Sequence, residues 1–171
     1  MGIVVRKAQK KEAALIAEMS RQTFYDSFAG QNTKEDMERF MNEQFRREDL
    51  IKEVETNDGI FLLAYDGDEP SGYVRMREGE YYKEFGNKTS IEIVRIYAIK
   101  SSIGKGVGSA LMNKCIETAG ELKRQIIWLG VWEYNKRAID FYTRWGFEIF
   151  GQHDFVLGRD VQTDLLMKKE L

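Results

Sequence analysis

The sequence predicts a mixed α/β fold, laid out as one domain over residues 1–171. Three features carry this reading. Apolar positions at helical spacing dominate the first third, β-rich runs take over at Gly59, and one of those runs passes through a glycine-rich turn straight into another helix. With 43% apolar residues the chain can fill a continuous core. Charged residues make up 32% and Pro70 is the lone proline, so no stretch reads as a long disordered linker.

Taken in order, Ile3 to Ala8 is β-rich and suits a first strand. Ala14, Leu15, Met19 and Phe24 then form an apolar helical stripe. Thr33 before Glu35 and Asp36 is an N-cap with an acidic first turn, predicting a second helix that carries Met37, Phe40 and Met41. Leu50, Ile51 and Val54 extend the helical region. Ile60 to Tyr65 and Gly72 to Met76 read as strands flanking a turn at Asp66–Pro70. The polar stretch from Glu78 to Ser90 reads as a loop, and Ile91 to Ile99 as a third strand of a meander. Beyond the glycine turn, Val107, Leu111, Cys115 and Leu122 recur at helical intervals. A strand at Gln125–Val131, a helix at Asn135–Trp145 and short β runs at Phe147–Phe150 and Thr163–Met167 complete the chain.

Composition removes several function classes. A net charge of -2 argues against a direct nucleic-acid binder, which normally concentrates basic charge. One cysteine, Cys115, and one histidine, His153, exclude a disulfide framework, a cysteine zinc cluster and a His-rich metal site. Cys115 itself reads as a core or inert residue rather than a nucleophile. No run is long and apolar enough for a membrane span, and the start lacks the pattern of a secretory leader, so a cytoplasmic enzyme is expected.

The segment Ile103, Gly104, Lys105, Gly106, Val107, Gly108, Ser109 is the first candidate site. Its glycines let a bulky anion approach the backbone, and the helix that follows begins with unpaired N–H groups. A tight structural turn explains the same spacing equally well. GKGVG fits neither the dinucleotide G-x-G-x-x-G pattern nor the G-K-[ST] ending of a P-loop, which disfavours NAD and ATP.

IVRIYAIKSSIGKGVGSALMNKCIE and WLGVWEYNKRAIDFYTRWGFEIF, in this order, resemble the GCN5-related N-acetyltransferase (GNAT) superfamily. The first looks like its strand, pyrophosphate loop and helix, with Ile103 where the pattern usually has Gln or Arg. The second matches N-x-x-A-x-x-F-Y-x-x-x-G-F at Asn135, Ala138, Phe141, Tyr142, Gly146 and Phe147. TFYDSF, RIY, IWLGVWE and the tail QTDLLM are more specifically similar to PaiA-like spermidine/spermine N-acetyltransferases. The resemblance implies a mixed, mostly antiparallel central sheet flanked by helices, acetyl-CoA as the donor with coenzyme A as product, and a polyamine-like amine as acceptor. It leaves a homodimer open.

Some residue roles follow from the resemblance and others from the residues themselves. Tyr142 falls where the superfamily carries a tyrosine proposed to protonate the departing thiolate. The backbone at Ile96, Tyr97 and Ala98 is similar to the strand that pairs with pantetheine amides. Asn135 is implied to touch cofactor or substrate, although it also suits a helix cap. Glu92, an acid within an apolar strand, is the candidate general base, with a solvent-facing strand residue as the plain alternative. An extended polycation calls for dispersed acids and aromatic walls, for which Tyr25, Phe28, Glu78, Glu84, Trp132 and Glu133 are candidates. Acetylation of another small or protein amine, or acyl-CoA binding without turnover, are the competing readings.

Overall fold

The computed structural model describes residues 2–171. A seven-stranded sheet runs in the order β1-β2-β3-β4-β5-β7-β6. Its strands are β1 (Ile3–Lys7), β2 (Ile60–Asp66), β3 (Glu69–Arg77), β4 (Ser90–Ala98), β5 (Ile126–Trp132), β6 (Glu148–Leu157) and β7 (Asp160–Glu170). Neighbours are antiparallel except β4 and β5, which run parallel. This is the mixed, mostly antiparallel architecture the sequence predicts.

Because side chains alternate along a strand, the sheet has two apolar faces and each needs a cover. Helices α4 (Val107–Glu121) and α5 (Lys136–Arg144) cover one, packing Leu111, Met112, Cys115 and Tyr142 against Ile91, Ile93, Ile127 and Leu129. Helices α1 (Ala13–Phe28), α2 (Lys34–Glu43) and α3 (Arg47–Glu55) cover the other. There Ile16, Met19 and Val54 meet Phe61, Leu63 and Tyr73, while Phe24, Phe28, Met37 and Phe40 form a second cluster with Leu157. Thr33 caps α2 as expected, its hydroxyl accepting from the Asp36 N–H at 3.1 Å.

The feature that positions the site is a failure of pairing. β4 and β5 are bonded only over Ser90–Ile93 and Ile126–Leu129. In the β3–β4 ladder Arg75 faces Arg95 while Met76 faces Ile93, so Val94 is an extra residue on β4. Such a bulge bends its strand. Beyond it β4 stays with β3 as far as Ala98 and β5 stays with β7 as far as Trp132, and the two strands part. The β5-side edge of β4 from Val94 to Ala98 is left without a strand partner.

Three elements differ from the sequence expectation. The β2–β3 turn contracts to Gly67 and Asp68, and Pro70 joins β3, where a register shift at Ala64/Tyr65 accommodates it. Leu122 ends α4 as a 40% exposed C-cap residue rather than a core position. The last two strands are 10 and 11 residues long, roughly double the short runs expected, because their polar halves alternate too weakly to read as strands. Gly158 turns this hairpin at φ 65°, with Asp36 so close that a Cβ would lie 2.7 Å from the Asp36 Cα. Asp36 Oδ1 accepts from the Arg159 N–H at 3.0 Å, which fixes the hairpin tip on the start of α2.

Candidate active site

Where β4 and β5 part, a cleft of about 690 Å³ opens through the sheet. One mouth is lined by Ser102, Ile103, Gly104, Gly106, Gly108 and Ser109 together with Arg137 and Arg144 of α5. The other is walled by Phe24, Phe28, Phe40, Phe45, Trp132 and Phe155. Between them run β4 from Ile93 to Ala98 and β5 from Leu129 to Trp132.

The first mouth is built from backbone. Gly104 and Gly106 sit at φ 82° and 88°, in the left-handed region, with open space where a Cβ would be. Gly106 is the N-cap of the 15-residue α4, and no side chain caps that helix. Among the described residues, the N–H groups of Gly106, Val107, Gly108 and Ser109 have no backbone acceptor outside the helix. Uncapped donors at a helix start favour an anion. Arg137 and Arg144 add positive charge at the same mouth.

Tyr142 lies in the cleft wall and is 8% exposed. Burial pushes its phenol well above the usual range, and nearby Cys115 adds to the shift. The hydroxyl therefore keeps its proton at neutral pH, the state a general acid needs. Tyr97 is shifted upward too, first by burial and then by its neighbours Tyr73 and Tyr142. Asn135 caps α5, its side-chain oxygen accepting from the Ala138 N–H at 3.3 Å. The amide nitrogen is the part of Asn135 left for a ligand. The Trp132 indole N–H is buried with no partner among the described residues, a cost a ligand acceptor would remove.

The acetyltransferase (GNAT) family profile matches residues 21–147, most of the chain. The chain belongs to the acetyltransferase (GNAT) family. An uncharacterized N-acetyltransferase from Lactobacillus delbrueckii subsp. lactis is 36% identical over 171 residues, covering 99% of this chain and 98% of its own length. The spermidine N(1)-acetyltransferase of Thermoplasma acidophilum is 24% identical over 156 residues, 87% of this chain and 90% of that protein. Among solved structures, the PaiA N-acetyltransferase of Thermoplasma acidophilum in complex with coenzyme A superposes with a TM-score of 0.76 at 21% identity, covering 100% of both chains.

Within this GNAT fold the cleft gathers Ile96, Tyr97, Ala98, Ile103, Gly104, Gly106, Gly108, Ser109, Asn135 and Tyr142 from the sequence expectation, together with Phe28 and Trp132. Lys105 and Val107 belong to the same turn but do not line the cleft; Val107 is 1% exposed and packs in the core. Glu92 is not part of the cleft. It sits on the closed, still-paired stretch of β4, and its Oε2 accepts from Arg77 Nε at 2.9 Å. Glu78 pairs with Arg124, and Glu84 lies in the short helical turn Lys83–Phe85, whose Phe85 packs on Trp128. Tyr25, 50% exposed, and Glu133 also lie outside the cleft.

Cys115 is fully buried, its thiol pushed up to about 12 by burial, which suits the core role expected of it. Among the described residues no cluster of acidic, His or Cys side chains could hold a metal ion, and no helix is long and apolar enough to cross a membrane. Sequence reasoning missed Phe24, Phe40, Phe45, Phe155, Arg95 and Asp164 as cleft residues. The signal for Asp164 was present: it interrupts a β-rich run in QTDLLM just as Glu92 does in β4.

Proposed function

We propose that the chain is an acetyl-CoA-dependent N-acetyltransferase whose acceptor is a primary amine, with a polyamine of the spermidine/spermine type as the preferred substrate class. The observation that carries this is the two-ended cleft, with anion-binding backbone at one mouth and an aromatic wall at the other. The Gly104–Ser109 turn fits the donor's pyrophosphate, since the space a Cβ would take at Gly104 and Gly106 is open. The free edge of β4 from Val94 to Ala98 offers backbone donors and acceptors to the pantetheine amides. When bound, acetyl-CoA supplies an acyl group activated as a thioester. Tyr142, held protonated by burial, donates its proton to the leaving thiolate. The acyl group passes directly to the amine, because Cys115 is buried and its thiol is pushed up to about 12.

A polyamine suits the far mouth because its methylenes can lie on Phe24, Phe28 and Phe40, and ammonium groups are attracted to aromatic faces. The likeness to a spermidine acetyltransferase supports the same class. A second reading is a small or protein amine with one charge and an apolar body. It is favoured by a cleft lined, among the described residues, by a single carboxylate and three arginines. Purified protein incubated with acetyl-CoA and a panel of spermidine, spermine, aminoglycosides and peptide amines separates them by mass spectrometry of the products. Acetylated spermidine or spermine is the expected result, and acetylation confined to other amines would overturn the polyamine class.

A further inference from the structure

Asp164 of β7 is the single carboxylate among the described residues that line the cleft. It stands directly across the ladder from Trp132 on β5 and from His153 on β6. Gly130 lies beside the pair on β5. A Cβ built there would be 3.6 Å from Asp164 Oδ2 and 3.7 Å from His153 Nε2, so no side chain of residue 130 stands between the pair and the cleft. His153 Nε2 is 3.5 Å from Asp164 Oδ2. The carboxylate is mostly covered, at 18% side-chain exposure, whereas the imidazole reaches solvent at 45%.

Resting on the acetyltransferase reading, we propose that Asp164 receives the acceptor's ammonium group and takes its proton, and that His153 passes this proton to solvent. A cation entering a partly desolvated cleft needs an opposite charge. Arg95, Arg137 and Arg144 repel it, and Arg95 is already paired with Glu53, so Asp164 is what meets it. Glu92 cannot fill the role from its place beside Arg77, outside the cleft.

Transfer of one proton from R–NH3+ to the carboxylate leaves R–NH2, whose lone pair attacks the thioester carbonyl carbon. The C–N bond forms, and the C–S bond breaks with its electrons on sulfur. Sulfur takes the Tyr142 proton, the nitrogen's second proton restores the phenol, and the first leaves through Asp164 and His153. The sum is amide, thiol and one released proton.

Burial raises the Asp164 carboxyl above its ordinary range, and His153 opposes that shift. Tyr97 from β4 also couples to Asp164, and β5 contributes the uncharged Gly130 and Trp132. A raised carboxyl is a better-matched base for an ammonium. It also sets the acid limb: kcat/KM falls as pH drops through the Asp164 pKa, at a pH above the usual carboxylate range.

The test compares the wild type, Asp164→Asn and His153→Gln with spermidine and with 2-phenylethylamine as acceptors, across pH. Asp164→Asn should lower kcat/KM for the amine about 100-fold at neutral pH, with acetyl-CoA binding and thermal unfolding unchanged. The deficit should shrink about tenfold per pH unit as solution deprotonates the amine, because the variant can use only free R–NH2. His153→Gln should lower kcat by a smaller factor. A deficit that is constant across pH, or none, overturns the role of Asp164 while leaving the acetyltransferase reading intact. Should Asp164→Asn misfold, Asp164→Glu provides the same readout, with partial activity and the wild-type pH slope expected. Absence of turnover by folded wild type, with any amine in the wider panel, overturns the acetyltransferase reading and this proposal with it.

Discussion

At the proposed donor mouth most ligand-facing groups belong to the backbone, with Arg137 and Arg144 adding charge, whereas at the proposed acceptor mouth they belong to side chains. The turn around Gly104 and Gly106 supplies N–H groups and room from one segment, and α5 adds Arg137 and Arg144. The acceptor wall takes Phe24 and Phe28 from α1, Phe40 from α2, Trp132 from β5, and Phe155 and Asp164 from the terminal hairpin. A backbone site tolerates change in its side chains but not in its φ angles. A side-chain site can be rebuilt residue by residue without touching the backbone frame of the other mouth.

Substitutions at each mouth put this contrast to the test. The largest effect is expected where the two mouths meet. Tyr142→Phe should lower kcat about 100-fold with acetyl-CoA affinity unchanged, measured by steady-state kinetics beside donor titration. An equal loss of donor affinity would instead mean that Tyr142 serves packing. Next comes the backbone: Gly106→Val puts a branched side chain at φ 88°. Strain of roughly 1–2 kcal/mol should raise the acetyl-CoA KM about tenfold and leave the amine KM alone. Phe155→Leu should do the reverse. Losing a cation–π contact worth about 0.5–1 kcal/mol raises the amine KM about threefold at constant donor KM. Smallest of all, Glu92→Gln should leave kcat unchanged and cost under about 1 kcal/mol in denaturant unfolding, because its partner Arg77 is half exposed.

The same contrast explains what could be read in the sequence. The segments proposed to hold the donor were legible because each is local in sequence: strand, Ile103–Ser109 and helix in one run, and Asn135 to Phe147 in another. The order of elements was legible for the same local reason, down to the Thr33 cap. Glu92 and Asp164 looked alike as acids within β-rich runs, and only the separation of β4 from β5 distinguishes them. That separation depends on the Val94 bulge, a property of pairing between strands that no local pattern encodes. The aromatic wall was hidden because Phe24, Phe40 and Phe155 come together from positions far apart, and aromatic residues at helical spacing read as core.

In the proposed mechanism one cleft holds both substrates at once and passes the acyl group directly between them. Initial velocities with acetyl-CoA and spermidine both varied, read from thiol release, test it most directly. Intersecting double-reciprocal lines are the predicted result. Parallel lines would contradict it, since they require an acyl group parked on the protein before the amine arrives.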